Sequence, residues 1–204
     1  MAGGLQGPAP DDRSQPEGRR NSQGFRIDPE VEAEPTTRRA TLSALVAHEP
    51  GVLAKVSGLF SRRQFNIESL AVGPTEEDGL ARITMVIEEP EPGIEQAKKQ
   101  LEKLIPVHSV TELAADAVAR ELAVVKVGAE EPDKVQAIAE MYEGTVVDAG
   151  PETISVEVTG DERTVDAAIE AFERFEIHEL VRTGTAALAR GAERTDHEPG
   201  GTAD

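Results

Sequence analysis

The apolar residues of this chain change their period in a fixed order, and they do so twice. From Ala40 to Val46 they alternate, with Ala40, Leu42, Ala44 and Val46 on one side, which is the mark of a strand with one buried face. Val52, Val56, Leu59 and Phe60 then recur at the spacing of one helix face, over a run from about Gly51 to Arg63. A strand from Asn66 to Val72 follows. Gly73, Pro74 and the acidic run to Gly79 read as a loop. Ala81, Ile83, Met85 and Ile87 alternate again, and Pro90, Pro92 and Gly93 break the pattern. Ile94, Ala97, Leu101, Leu104 and Ile105 return to helical spacing until Pro106, and Val107 to Leu113 reads as a fourth strand.

The same order begins again at Leu122, where Leu122, Val124, Val125 and Val127 mark a strand. Asp133 to Tyr142 reads as a helix burying Val135, Ile138, Ala139 and Tyr142, closed by Gly144 in the left-handed conformation that glycine tolerates. Thr145–Asp148 and Thr153–Thr159 form a strand pair about the Gly150-Pro151 turn. Asp161 opens a helix with Val165, Ala168, Ile169 and Phe172 inward, and Ile177 to Thr183 returns as a strand. The repeat is one of pattern and not of residue identity. A βαββαβ unit makes a four-stranded antiparallel sheet with both helices on one face, the ferredoxin-like arrangement. The expected fold is therefore α+β, with two such units at 38–116 and 117–191. The tails at 1–37 and 192–204 are rich in Gly, Pro and charge and are expected to be disordered, the first of them acidic. Leu45, Leu70 and Val86 lie off the main alternation, so the sheet face without helices needs cover. Edge-to-edge pairing with a second copy is the expected remedy.

Charge narrows the partners. Asp and Glu number 39 against 21 Lys and Arg, a formal net charge of −18, while aromatics are only 3%. Like charge argues against nucleic acid and anionic membrane, and an RNA-binding module of this fold would also need aromatics on its strands. The acidity suits a surface solvated in a salt-rich cytoplasm, and such a chain is expected to loosen at low salt. There is no Cys, which excludes disulfides and thiolate chemistry. No run of about 18 apolar residues exists and the N-terminus is polar, so a cytoplasmic protein without a membrane span is expected.

No catalytic constellation stands out. His48, His108, His178 and His197 are far apart in sequence, so a metal site is not expected. A Walker loop, a Gly-x-Gly-x-x-Gly and a Gly-x-Ser-x-Gly are all lacking. The stretch His48–Val72 is different. Its Pro50-Gly51 turn opens a helix, whose first turn carries free N–H donors suited to a small carboxylate. Gly51 fits a turn glycine and a close ligand approach equally well. Asn66 fits a helix-to-strand turn, and its amide, both donor and acceptor, also suits a zwitterion. Arg62 and Arg63 read first as charges complementing the helix C-terminus.

Glu49-Pro50-Gly51-Val52-Leu53, Gly58-Leu59-Phe60-Ser61-Arg62-Arg63 and Phe65-Asn66-Ile67-Glu68-Ser69-Leu70 resemble the ACT domain of the acetolactate synthase small subunit. Weaker likeness runs on through Gln100–Val107 and Arg120-Glu121-Leu122 to Val181-Arg182-Thr183-Gly184 and Leu188–Gly191. The resemblance implies that the first unit is an ACT domain and that the chain is not catalytic on its own. It implies a partner, the catalytic large subunit, which carries thiamine diphosphate, magnesium and FAD, with no cofactor on this chain. It also implies a homodimer through ACT domains and feedback inhibition by valine or another branched-chain amino acid. By position, His48, Glu49, Pro50, Gly51, Val52 and Leu53 would receive the effector carboxylate, Asn66 of the facing subunit its polar end, and Ile67 its side chain. His48 stands where that family usually has Asn or Asp, and Gln64 where it usually has Gly. A free-standing amino-acid sensor of the ACT type is the alternative reading.

Overall fold

The computed structural model describes residues 19–20, 26–27, 37–192, 194 and 195. The remainder of the two expected tails, His197 included, lies outside the described residues. In the first part of the chain, β1 (Arg19–Arg20) pairs antiparallel with β2 (Arg26–Ile27).

The body starts with β3 (Thr37–Ala47), followed by α1 (Val52–Arg63), β4 (Ile67–Pro74), β5 (Leu80–Pro90), α2 (Glu91–Leu101) and β6 (Val107–Glu112). The strands lie in the order β4-β5-β3-β6, all antiparallel. Strand alternation sends Leu42, Ala44, Val46, Ile83, Met85 and Ile87 to the helix side. There they meet Val52, Val56, Leu59 and Phe60 of α1 and Ile94, Ala97 and Leu101 of α2 in one core. With so few aromatics the core is aliphatic, and each such side chain buried contributes about 1.5–3 kcal/mol. Phe60 is the large exception, edge-on to Phe65 at 5.7 Å between ring centres.

The second unit repeats this with β7 (Val118–Gly128), α3 (Pro132–Met141), β8 (Thr145–Ala149), β9 (Thr153–Gly160), α4 (Glu162–Phe172) and β10 (Ile177–Arg182), in the order β10-β7-β9-β8. Val125, Val127, Ile154, Val156 and Val158 face Val135, Ile138, Ala168 and Phe172. A further strand, β11 (Ala186–Leu188), pairs with the start of β7.

Several local expectations give way to geometry. Gly73 and Pro74 belong to β4, opposite Arg82 and Ala81, and not to a loop. Pro92 sits in the first turn of α2, where a missing N–H costs nothing. Ile105 is 99% exposed, because α2 ends four residues earlier and the turn swings it outward. The left-handed residue after α3 is Glu143, at φ 55°, and not Gly144. Gly144 is needed for packing instead, since a Cβ there would stand 2.8 Å from the Glu157 carbonyl oxygen.

The helix-free face of the first sheet is also covered differently from expectation. Ser43, Leu45, Thr84 and Val86 on that face are all buried within the single chain. The segment after β10 crosses it. Thr185 donates its N–H to Ser69 Oγ at 2.7 Å, and Arg82 Nη1 reaches Thr195 Oγ1 at 2.5 Å. At Gly184, φ +76°, a Cβ would meet the Leu70 carbonyl oxygen at 2.8 Å, so only glycine lets the chain pass this close to β4.

Candidate functional site

The loop His48–Gly51 joins β3 to α1. The His48 N–H is tied to the Gly79 carbonyl at 2.7 Å, which fixes where the loop leaves the sheet. Gly51 has φ +87°, a conformation that disfavours any side chain, and the space where its Cβ would lie is open to 4 Å. Both readings of this glycine therefore meet in one residue: the turn demands it, and nothing blocks a ligand from the backbone. The Val52 N–H makes a long bond of 3.4 Å to Glu49 O, and Lys55 N–H closes the first full turn on Gly51 O at 3.1 Å. The N–H groups of Gly51, Leu53 and Ala54 meet no acceptor among the described residues. No side chain caps this helix and its first turn holds no acid. Val52 is buried in the core and Leu53, 44% exposed, stands at the surface beside the loop.

Asn66 follows the other end of α1. The helix ends on Gln64, whose φ of 60° is left-handed and whose N–H returns to Phe60 and Ser61 carbonyls. The residue that stands where the resembled family has Gly thus does adopt the conformation for which Gly is suited, at a cost of about 1 kcal/mol. Arg62 and Arg63 close the last turn, and Arg63 Nη2 donates to Gln100 Oε1 at 3.2 Å. The exposed Asn66 amide donates to the Glu68 carboxylate. Ile67 is partly buried against the first core.

The structure therefore brings His48–Leu53 together as one exposed loop and helix start, with Asn66 and Ile67 elsewhere. Twelve residues of α1 separate the two groups, a helix about 18 Å long at 1.5 Å per residue. One chain does not assemble both halves at one point.

Three features were not anticipated. The first is an ion-pair cluster in the second unit, where Arg182 grips the buried Glu121 through Nε and Nη2, both at 2.8 Å, and Asp166 through Nη1 at 2.8 Å. The hydrogen bonds to Glu121 hold the Arg182 pKa above its ordinary value. The second is a polar cavity of about 430 Å³ at the seam between the units, lined by Arg39, Glu68, Ser69, Glu121, Arg182 and Thr185. Arg39 there pairs with Glu162 at 2.6 Å. The third is a cavity of about 720 Å³ over the covered face of the first sheet, with Val72, Arg82, Val118, Arg120 and Leu188 in its lining. Leu45 and Val86, apolar and off the core stripe, were the sequence signal that this face is covered, whereas Ser43 and Thr84, buried beside them, read as a face turned to water. No cluster of metal-ligating residues occurs among the described residues, and no described helix is long and apolar enough to cross a membrane.

Residues 42–109 match the family model for an AHAS small subunit-like ACT domain, and residues 120–191 match that for the small subunit of acetolactate synthase. The chain is 45% identical over 166 residues to a probable acetolactate synthase small subunit of Methanothermobacter thermautotrophicus, covering 79% of this chain and 98% of that one. It is 46% identical over 154 residues to the acetolactate synthase small subunit of Mycobacterium leprae, covering 74% and 91%. The crystal structure of the acetolactate synthase small subunit from Thermotoga maritima superposes with a TM-score of 0.72 at 35% identity, over 76% of this chain and 99% of that one. Two βαββαβ units in the same order, matched by two family models along nearly their whole length, place this chain in the acetolactate synthase small-subunit family.

Proposed function

We propose that this chain is the non-catalytic regulatory subunit of an acetolactate synthase. It activates a thiamine-diphosphate-dependent large subunit and confers feedback inhibition by valine on branched-chain amino acid synthesis. The observation that carries the effector reading is the start of α1. Three N–H groups there lack an acceptor among the described residues, beside a glycine that leaves the backbone open. A valine carboxylate supplies the missing acceptors, and the positive end of the helix dipole favours its charge.

The split of the site supports a homodimer. His48–Leu53 and Asn66 sit at opposite ends of α1, so a two-fold axis that sets two α1 helices antiparallel brings the Asn66 of the second copy to the loop of the first. Asn66 then leaves Glu68 to meet the ammonium or carboxylate of valine, and Ile67 lines the isopropyl group. Valine bound between two copies favours the dimer arrangement that best fits it. It inhibits only by the difference in its affinity for the active and less active assemblies, about 1–3 kcal/mol in typical couplings.

Reconstitution tests this. Purified large subunit should form acetolactate faster when this chain is added, and valine should reverse the gain. No change in rate on adding the chain would reject the activating role. Activation without any effect of valine would reject the effector role alone.

A further inference from the structure

The 720 Å³ cavity is separate from the loop at Gly51 and from Asn66. Its aliphatic wall is made by Val72 of β4, Val118 of β7 and Leu188 of β11, which are 50%, 41% and 55% exposed. Its polar lining includes three arginines and Glu76; of the arginines Arg82 comes from the first unit, Arg120 from the second and Arg194 from the segment that follows it. Arg82 is half-buried, and its Nη1 donates to Ser43 Oγ at 2.8 Å and to Thr195 Oγ1 at 2.5 Å. Those two hydroxyls hold the guanidinium in place and carry no charge to balance it. Arg120 donates Nη1 to the Ala119 carbonyl at 2.8 Å. Neither Arg82 nor Arg120 has a carboxylate within ion-pair distance among the described residues. That is notable in a chain with 39 Asp and Glu. The contrast with the polar seam is direct, where Arg39 and Arg182 are both paired with carboxylates. At the rim of the larger cavity Glu76 stands 3.7 Å from Arg194.

Cavities of this size with an apolar lining and a few placed charges are the usual form of small-molecule sites. We propose that this cavity binds an organic anion with an aliphatic body. Its anionic head, a carboxylate or a phosphate, lies between Arg82 and Arg120, and its hydrocarbon lies on Val72, Val118 and Leu188. Because one arginine comes from each βαββαβ unit, the ligand ties the two units together. The site is independent of the valine reading.

Isothermal titration of the full chain with octanoate, octyl phosphate and octanol tests it. The expected result is one saturable site per chain for at least one of the two anions, with octanol bound at least about tenfold more weakly. The tighter of the two anions assigns the head group. Arg82→Gln should weaken anion binding about tenfold or more. Arg120→Gln, at an exposed position, should do the same and serves where loss of the Thr195 contact unfolds the first variant. Leu188→Trp, also exposed, should fill the cavity and remove binding while far-ultraviolet dichroism stays unchanged. The proposal is overturned by no saturable heat from either anion, by octanol binding as tightly as octanoate, or by wild-type affinity in folded arginine and Leu188→Trp variants.

Discussion

The two βαββαβ units share a strand order and differ at the starts of their helices. In the second unit α4 is closed by its own carboxylate. Asp161 Oδ1 accepts from the Thr164 N–H at 2.8 Å and from its hydroxyl at 2.7 Å, and Glu162 follows in the first turn. Likewise α3 carries Asp133 in its first turn and α2 carries Glu91. Of the four described helices, α1 alone starts without an acid, and it starts on glycine. The charge differs in the same sense. Residues 37–117 hold 9 Lys and Arg against 12 Asp and Glu, whereas 118–191 hold 7 against 16. One fold thus serves two ends. The second unit caps α4 with its own side chain, and the first leaves the start of α1 uncapped, which is where the proposed effector carboxylate would lie.

Substitutions in matched pairs set the two units against each other. The largest effect should come from the two cores. Phe60→Ala on α1 and Phe172→Ala on α4, each fully buried in the core of its own unit, should each cost about 3–5 kcal/mol in denaturant unfolding. A single transition in both variants would mean that the crossing segment makes the units one cooperative body, while two transitions would mean that they melt apart. Next is Gly51→Asp, which puts a carboxylate where the proposed effector carboxylate would lie. Valine affinity should fall on the order of 100-fold. Gly51→Ala, strained at the same φ but uncharged, should fall far less, and calorimetry separates the two. Third, Arg182→Met strands the buried Glu121 carboxylate and should cost about 1–3 kcal/mol, with no change in valine affinity.

Smaller again are the helix ends. The first helix of each unit is followed by a non-glycine residue with positive φ, Gln64 at 60° as the cap of α1 and Glu143 at 55° one residue past the cap of α3. Gln64→Gly and Glu143→Gly should each stabilise by about 1 kcal/mol or less, because relief of strain is offset by the freer unfolded chain. The smallest effect is a pH dependence. Hydrogen bonds from the Thr164 hydroxyl and N–H hold the Asp161 pKa below its ordinary value. Its contribution is therefore complete above the unfolded value of about 3.9 and is lost as the pH falls through the lower folded value. Asp161→Ala should lower the melting temperature at pH 7, and the gap from wild type should close in acid. No carboxylate caps α1 or stands in its first turn, so no such gap should arise there.

Both orders of strand and helix were legible, because alternation and helical spacing are tied directly to which face is buried. Val52, Val56, Leu59 and Phe60 are all buried as their spacing requires. The need for glycine at 51 was legible too, since a Pro-Gly turn before an apolar helix implies a special φ. What covers the first sheet was not. β11 is three residues long and shows no period, and Thr185 and Thr195 look like surface residues until the chain folds back. Gly144 drew the left-handed assignment because glycine tolerates positive φ without cost, while Glu143 takes that conformation with nothing in its residue type to announce it. The separation of His48–Leu53 from Asn66 and Ile67 across α1 follows from helix length and placement, which residue identity alone does not express.

The central claim is that the start of α1 holds the carboxylate of a branched-chain amino acid. Calorimetric titration of the purified chain with valine, at high salt and with leucine and isoleucine alongside, tests it most directly. The account predicts saturable valine binding at one per chain, or one per two chains if the two sites of a dimer are unequal, and its loss in Gly51→Asp. Absence of heat from all three amino acids, or undiminished valine binding by folded Gly51→Asp, would contradict it.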